Sequence, residues 1–141
     1  GRLLPQTELV VVTTPQLSAQ KVATRVADMA KRSFIPLLGV VENMSYFESG
    51  DGNKYNIFGK GGGDELSEKF GIPLLSKIPI SEDSIEESEN GTPILLQNNK
   101  TPTKEAMQDL VNTIIKVLPP VSDETCTGRL AKVLEELEVE A

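Results

Sequence analysis

Three short apolar runs, separated by polar and helix-patterned stretches, organise this chain. Leu9-Val-Val-Val-Thr13 is β-branched and too short for an ordinary helix, so it predicts a buried strand. Thr14-Pro15 follows, predicting a helix N-cap with proline at the first helical position. Beyond it Ala19, Val22, Ala23, Val26, Met29 and Ala30 recur at helical spacing, and Lys31 and Arg32 suit the dipole of the last turn. The second run, residues 37–42, predicts another strand, and strand, helix, strand makes a βαβ unit. That run ends abruptly in Glu42-Asn43, which places Asn43 at the carboxyl edge of the sheet, where open α/β folds bind ligands. A carboxamide there can donate to and accept from an adenine ring; closing a turn is the plainer role.

A loop from Ser45 to Asn56 carries Gly50-Asp51-Gly52-Asn53, strong turn chemistry for a small hairpin or flap. A short helix from Asp64 to Phe70 is closed by Gly71. The third run, Ile72 to Ile80, contains Pro73 and Pro79, which predict a short strand or one at the sheet's edge. Residues 81–87 open a helical turn that Asn90-Gly91 breaks. Thr101-Pro102 starts the last well-patterned helix, with Ala106, Leu110, Ile114 and Val117 as its buried stripe and Pro119-Pro120 as its stop. Residues 127–138 predict a small amphipathic helix in an acidic tail. The expected fold class is α/β, a partial parallel sheet with flanking helices over residues 1–120, followed by the tail at 121–141. Three strands are few for a sheet covered on both faces, so the chain reads as part of a larger domain.

Composition narrows the chemistry. The chain has 141 residues, a formal net charge of −7, one cysteine (Cys126) and no histidine. An internal disulfide, a histidine-based zinc site and a Ser-His or Cys-His catalytic pair are thereby excluded. The acidic balance argues against nucleic-acid binding, and no apolar stretch approaches the ~20 residues of a membrane span. The expectation is a cytoplasmic protein with no membrane or nucleic-acid partner.

Gly59-Lys60-Gly61-Gly62-Gly63 suggests a phosphate loop, but a Walker A lysine is followed by Ser or Thr and preceded by a buried strand. A tight turn that frees N–H groups at a helix start accounts for it better, and those groups are able to contact an anion. The acidic residues Glu82, Asp83, Glu86 and Glu87 read as a solvated helix N-terminus rather than a metal site, and Cys126 as an exposed thiol. No strand ends in an aspartate placed like a Walker B carboxylate, so the chain holds no complete hydrolytic site.

The segments Val10–Gln16, Leu38–Phe47, Ile57–Gly63, Gly71–Leu75, Lys77–Ile80 and Gly91–Ile94 together resemble the C-terminal half of the Mrp/ApbC group of P-loop ATPases, relatives of MinD and ParA. The resemblance implies a deviant Walker A nucleotide-binding fold, usually a homodimer, that binds ATP and carries or helps assemble iron–sulfur clusters for client proteins. It assigns Asn43 to the adenine contact and Pro79 and Ile80 to the loop lining the base. The family's phosphate-loop lysines, Walker B carboxylate and magnesium site lie upstream of Gly1. Many members carry Cys-x-x-Cys where this chain has Glu48-Ser-Gly-Asp-Gly-Asn53, so the usual cluster ligands are absent from it. Two functions follow as expectations: the adenine side of an ATPase, or a non-catalytic interaction module that keeps the scaffold. A switch ATPase of the ParA or MinD kind without a cluster role is a variant of the first.

Overall fold

The computed structural model describes residues 7–80, 91–96, 98 and 100–118. Strand β1 (Leu9–Thr13) leads through helix α1 (Leu17–Arg32) to β2 (Leu37–Glu42), as the βαβ pattern predicts. A two-stranded antiparallel hairpin, β3 (Phe47–Glu48) and β4 (Lys54–Tyr55), occupies the turn-rich loop. Helix α2 (Gly62–Phe70), β5 (Leu74–Lys77), a 3₁₀ turn (Ile94–Leu96) and helix α3 (Pro102–Val117) complete the described elements. The main sheet is parallel with order β1-β2-β5, so the proline-flanked strand lies at an edge as expected. The chain divides into two compact units, Gly1–Val111 and Asn112–Ala141; of the second, residues 112–118 are described. The helical turn at 81–87, Cys126 and the tail helix at 127–138 lie outside the described residues.

The core of the first unit is built from Val11 and Val40 of the sheet, Ala23 and Ala27 of α1, and Leu66 and Phe70 of α2. Helix α1 packs on β1, β2 and α2, and α2 on β2 and β5, so both helices cover one face. The buried row of α1 is Ala23, Ala27 and Ala30, whose small side chains allow close approach. That corrects the predicted stripe, because Val22, Val26 and Met29 are exposed. They form a neighbouring row that does not reach the covered face. A second correction concerns the start of α1: Gln16, not Thr14, is the N-cap, and no side chain caps it. Pro15 is buried against the glycine turn before α2, which holds the chain extended for two residues longer than Thr14-Pro15 suggests. Helix α3 starts at Pro102 as predicted, and Thr101 caps it, with the Lys104 N–H donating to Thr101 Oγ1 at 3.2 Å. Val117, predicted for the buried stripe of α3, is exposed.

Helix α1 ends in a Schellman turn: the Ile35 N–H donates to the Ala30 carbonyl at 2.9 Å and the Phe34 N–H to that of Lys31 at 3.2 Å. Its left-handed position is taken by Phe34, with φ of 55° and 94% exposure, where glycine is usual. Phe34→Gly therefore removes backbone strain and almost no burial, and is expected to raise stability by about 1 kcal/mol in urea denaturation. No gain would show that the left-handed turn costs nothing here. At Gly63, conversely, an added Cβ would lie 2.8 Å from Glu42 Cβ and 2.9 Å from Leu74 Cδ1. Gly63→Ala is expected to cost about 1–3 kcal/mol in the same measurement, despite the better helix propensity of alanine. Unchanged stability would mean that α2 shifts freely on β2.

Candidate functional site

The carboxyl edge of the sheet is shaped by a kink. After a register shift between Leu9 and Val10, β2 stays in register with β1 to its end, where the Asn43 N–H donates to the Thr13 carbonyl at 2.7 Å. Met44 then takes a left-handed φ of 54°. Beyond it the chain rejoins a ladder, now with the segment after β5. The Ser45 N–H donates to the Ile78 carbonyl at 2.9 Å, the Ile80 N–H to that of Tyr46 at 2.8 Å, and Phe47 bridges Ile80 in parallel. Since the Ile78 N–H donates to the Glu42 carbonyl at 2.8 Å, Asn43 and Met44 form an excursion between two paired stretches.

Glu42 and Ser45 flank this excursion, and their side chains close it. Ser45 Oγ donates to Glu42 Oε1 at 2.5 Å, and the Gly63 N–H, at the start of α2, donates to Glu42 Oε2 at 2.5 Å. Glu42 is 1% exposed. Its partners among the described residues are thus a hydroxyl and a helix N-terminus, which suits a negative group. Lys77, its neighbour in the β2–β5 register, instead pairs with Asp64 at 2.7 Å. The sequence pattern did not single out Glu42, Ser45 or Gly63 as a unit. The one local signal is a charged residue ending an apolar strand, and its partner lies 21 positions away.

The structure places Asn43 half-buried on the excursion, with its Oδ1 accepting from the Met44 N–H at 3.0 Å. Among the described residues the second lone pair of Oδ1 and the Nδ2 donors have no partner, which leaves them for a ligand. Pro79 and Ile80 follow β5 at the same sheet edge; Pro79 is buried and its carbonyl accepts from Thr103 Oγ1 at 3.1 Å. All three candidate residues therefore sit on the two paired segments at the strands' carboxyl ends.

The glycine run serves packing. Gly61 caps α2 with a left-handed φ of 83°, and a Cβ on Gly62 would lie 2.9 Å from Pro15 Cα. With the Gly63 N–H bound to Glu42, this helix start holds an internal carboxylate, an arrangement unlike a phosphate loop.

At the hairpin tip Ser49 Oγ donates to Asp51 Oδ1 and Asn53 Nδ2 donates to Asp51 Oδ2 at 2.6 Å. The Ser49 bond and then the Asn53 bonds hold the Asp51 carboxyl below the usual carboxylate range. The tip is a self-satisfied polar turn. Among the described residues no group of three His, Cys, Asp or Glu side chains is placed to hold a metal ion.

A groove of about 400 Å³ runs along β1, which pairs on one side only among the described residues, against the flank of α1; Val10, Val12, Thr14, Val22, Val26 and Asn43 are among its lining. Val12 and Val22 are each 60% exposed there, and Thr14 Oγ1 is buried without a partner among the described residues. No helix among the described residues is long and apolar enough to cross a membrane.

Residues 2–115 match the ParA-type family described as NUBPL iron-transfer P-loop NTPase. The chain is 37% identical over 116 residues to the iron-sulfur cluster carrier protein of Pyrococcus furiosus, covering 82% of this chain and 39% of that one. It is 35% identical over 113 residues to the protein of the same name in Bacillus subtilis, covering 79% and 32%. It thus spans about a third of the length of the curated relatives it matches. Among solved structures it is similar to a nucleotide-binding protein of Archaeoglobus fulgidus in complex with ADP, at 33% identity and TM-score 0.55, covering 68% of this chain and 39% of that one. The cell division ATPase MinD of Pyrococcus furiosus shares the fold at TM-score 0.62 and 22% identity, over 79% of this chain and 43% of that one. By its fold and by the match over residues 2–115, the chain belongs to the NUBPL iron-transfer P-loop NTPase family.

Proposed function

We propose that this chain supplies the adenine side of the nucleotide site in an ATP-binding iron–sulfur cluster carrier that hydrolyses ATP to switch between states of a homodimer. The observation that carries this reading is Asn43: a carboxamide at the carboxyl end of a parallel strand, on a strained excursion, whose donors and second lone pair have no partner among the described residues. Those groups complement the N6 amine and N7 of adenine. The ADP complex of the Archaeoglobus fulgidus relative supports a nucleotide as the ligand. Pro79 and Ile80, on the adjoining segment, are proposed to line the base.

The remaining parts of the site are proposed to come from the rest of the protein. The exposed row Val22, Val26 and Met29, beside a strand edge unpaired among the described residues, is a surface built to be covered. The orphan hydroxyl of Thr14 points the same way, since buried polar groups find partners in complete folds. A further strand on β1 would bury both and bring in the phosphate and magnesium groups. The iron–sulfur role rests on the family and on the relatives' names. The Ser49–Asn53 turn holds no thiol, so a cluster would need ligands other than the usual pair.

In the full-length protein, Asn43→Ala is expected to weaken ADP binding about 10- to 100-fold, the loss of one or two hydrogen bonds, with little change in melting temperature. Calorimetric titration measures the first and thermal unfolding the second. Equal affinity in the variant rules out Asn43 as the base contact.

A further inference from the structure

We propose that Glu42 is a positioning residue for base recognition: its buried carboxylate, held between Ser45 Oγ and the Gly63 N–H, fixes the excursion on which Asn43 is presented. This rests on the reading of Asn43 as the adenine contact. Glu42 and Ser45 are the paired residues on either side of Asn43-Met44, so the bond between them spans the excursion like a staple. The Gly63 N–H fixes the second oxygen to α2, and a side chain at Gly63 would displace it, with a Cβ 3.2 Å from Oε2. The carboxylate is therefore held at both oxygens. A left-handed Met44 persists only where its surroundings over-determine it, and the staple is the contact placed to do so. A carboxylate is a costly choice for a site 1% exposed if filling space were its whole task. Its two acceptors suit the task of joining a hydroxyl and a helix N-terminus at a fixed separation.

The test compares dissociation constants of ADP and inosine diphosphate in the full-length protein. The two differ at the adenine amine, so their ratio reports how well Asn43 is aimed. A merely structural role would weaken both ligands alike. Asn43→Ala sets the ratio expected when the base is no longer read. Ser45→Ala, which removes the staple and little else, and Glu42→Ala are each expected to lower the ADP preference about tenfold, towards the Asn43→Ala value. Glu42→Gln is expected to keep it, because its oxygen accepts from the Gly63 N–H while its amide donates to Ser45 Oγ. If Glu42→Ala fails to fold, Ser45→Ala and Glu42→Gln still decide. A wild-type ratio in Ser45→Ala, alongside a collapsed one in Asn43→Ala, overturns the positioning role and leaves the Asn43 reading standing. A wild-type ratio in Asn43→Ala overturns both.

Discussion

A single buried carboxylate ties the parts of this fold together. Glu42 ends the central strand, reaches forward to Ser45 across the Asn43–Met44 excursion and sideways to the first turn of α2. Burying a carboxylate costs several kcal/mol unless charge-assisted hydrogen bonds and a favourable field offset it. Here a hydroxyl and the positive end of α2 supply both. Strand, kink and helix cannot move independently while those two bonds hold.

The glycine-rich segment follows from this arrangement. A helix whose first N–H bonds to Glu42 must approach β2 closely, and Gly62 and Gly63 leave no room for a Cβ against Pro15, Glu42 or Leu74. Glycine is thus required by contact rather than by an external phosphate. The same close approach buries Pro15 and delays α1 until Leu17, so the turn before α2 also sets where the preceding helix begins. Lys77 is drawn to Asp64 at the start of α2, an exposed pair worth little in energy that leaves Glu42 to its neutral partners.

Much of the fold was legible along the chain because it is encoded locally. The three apolar runs became β1, β2 and β5, Gly71 closed α2 in the left-handed conformation, and α3 started at Pro102. What escaped is encoded between distant residues. Thr14-Pro15 has the composition of a helix start, but tertiary contact with the glycine turn overrides it. The α1 pattern contains two apolar rows side by side, and periodicity does not tell which is covered; Ala27, fully buried yet outside the predicted stripe, is too small to mark one. Asn43, Pro79 and Ile80 were found as candidate residues from strand ends and resemblance. The Glu42–Ser45–Gly63 cluster was not, since a charged residue at a strand end ordinarily reads as solvated and nothing local links it to a glycine 21 positions on.

We propose that the kink after β2 presents Asn43 to the adenine base. A crystal structure of the full-length protein with ADP tests it most directly. The account predicts the adenine amine and N7 within hydrogen-bond distance of the Asn43 carboxamide, the base beside Pro79 and Ile80, and the Glu42–Ser45 bond intact beneath it. A base bound elsewhere, with Asn43 facing solvent, would contradict it.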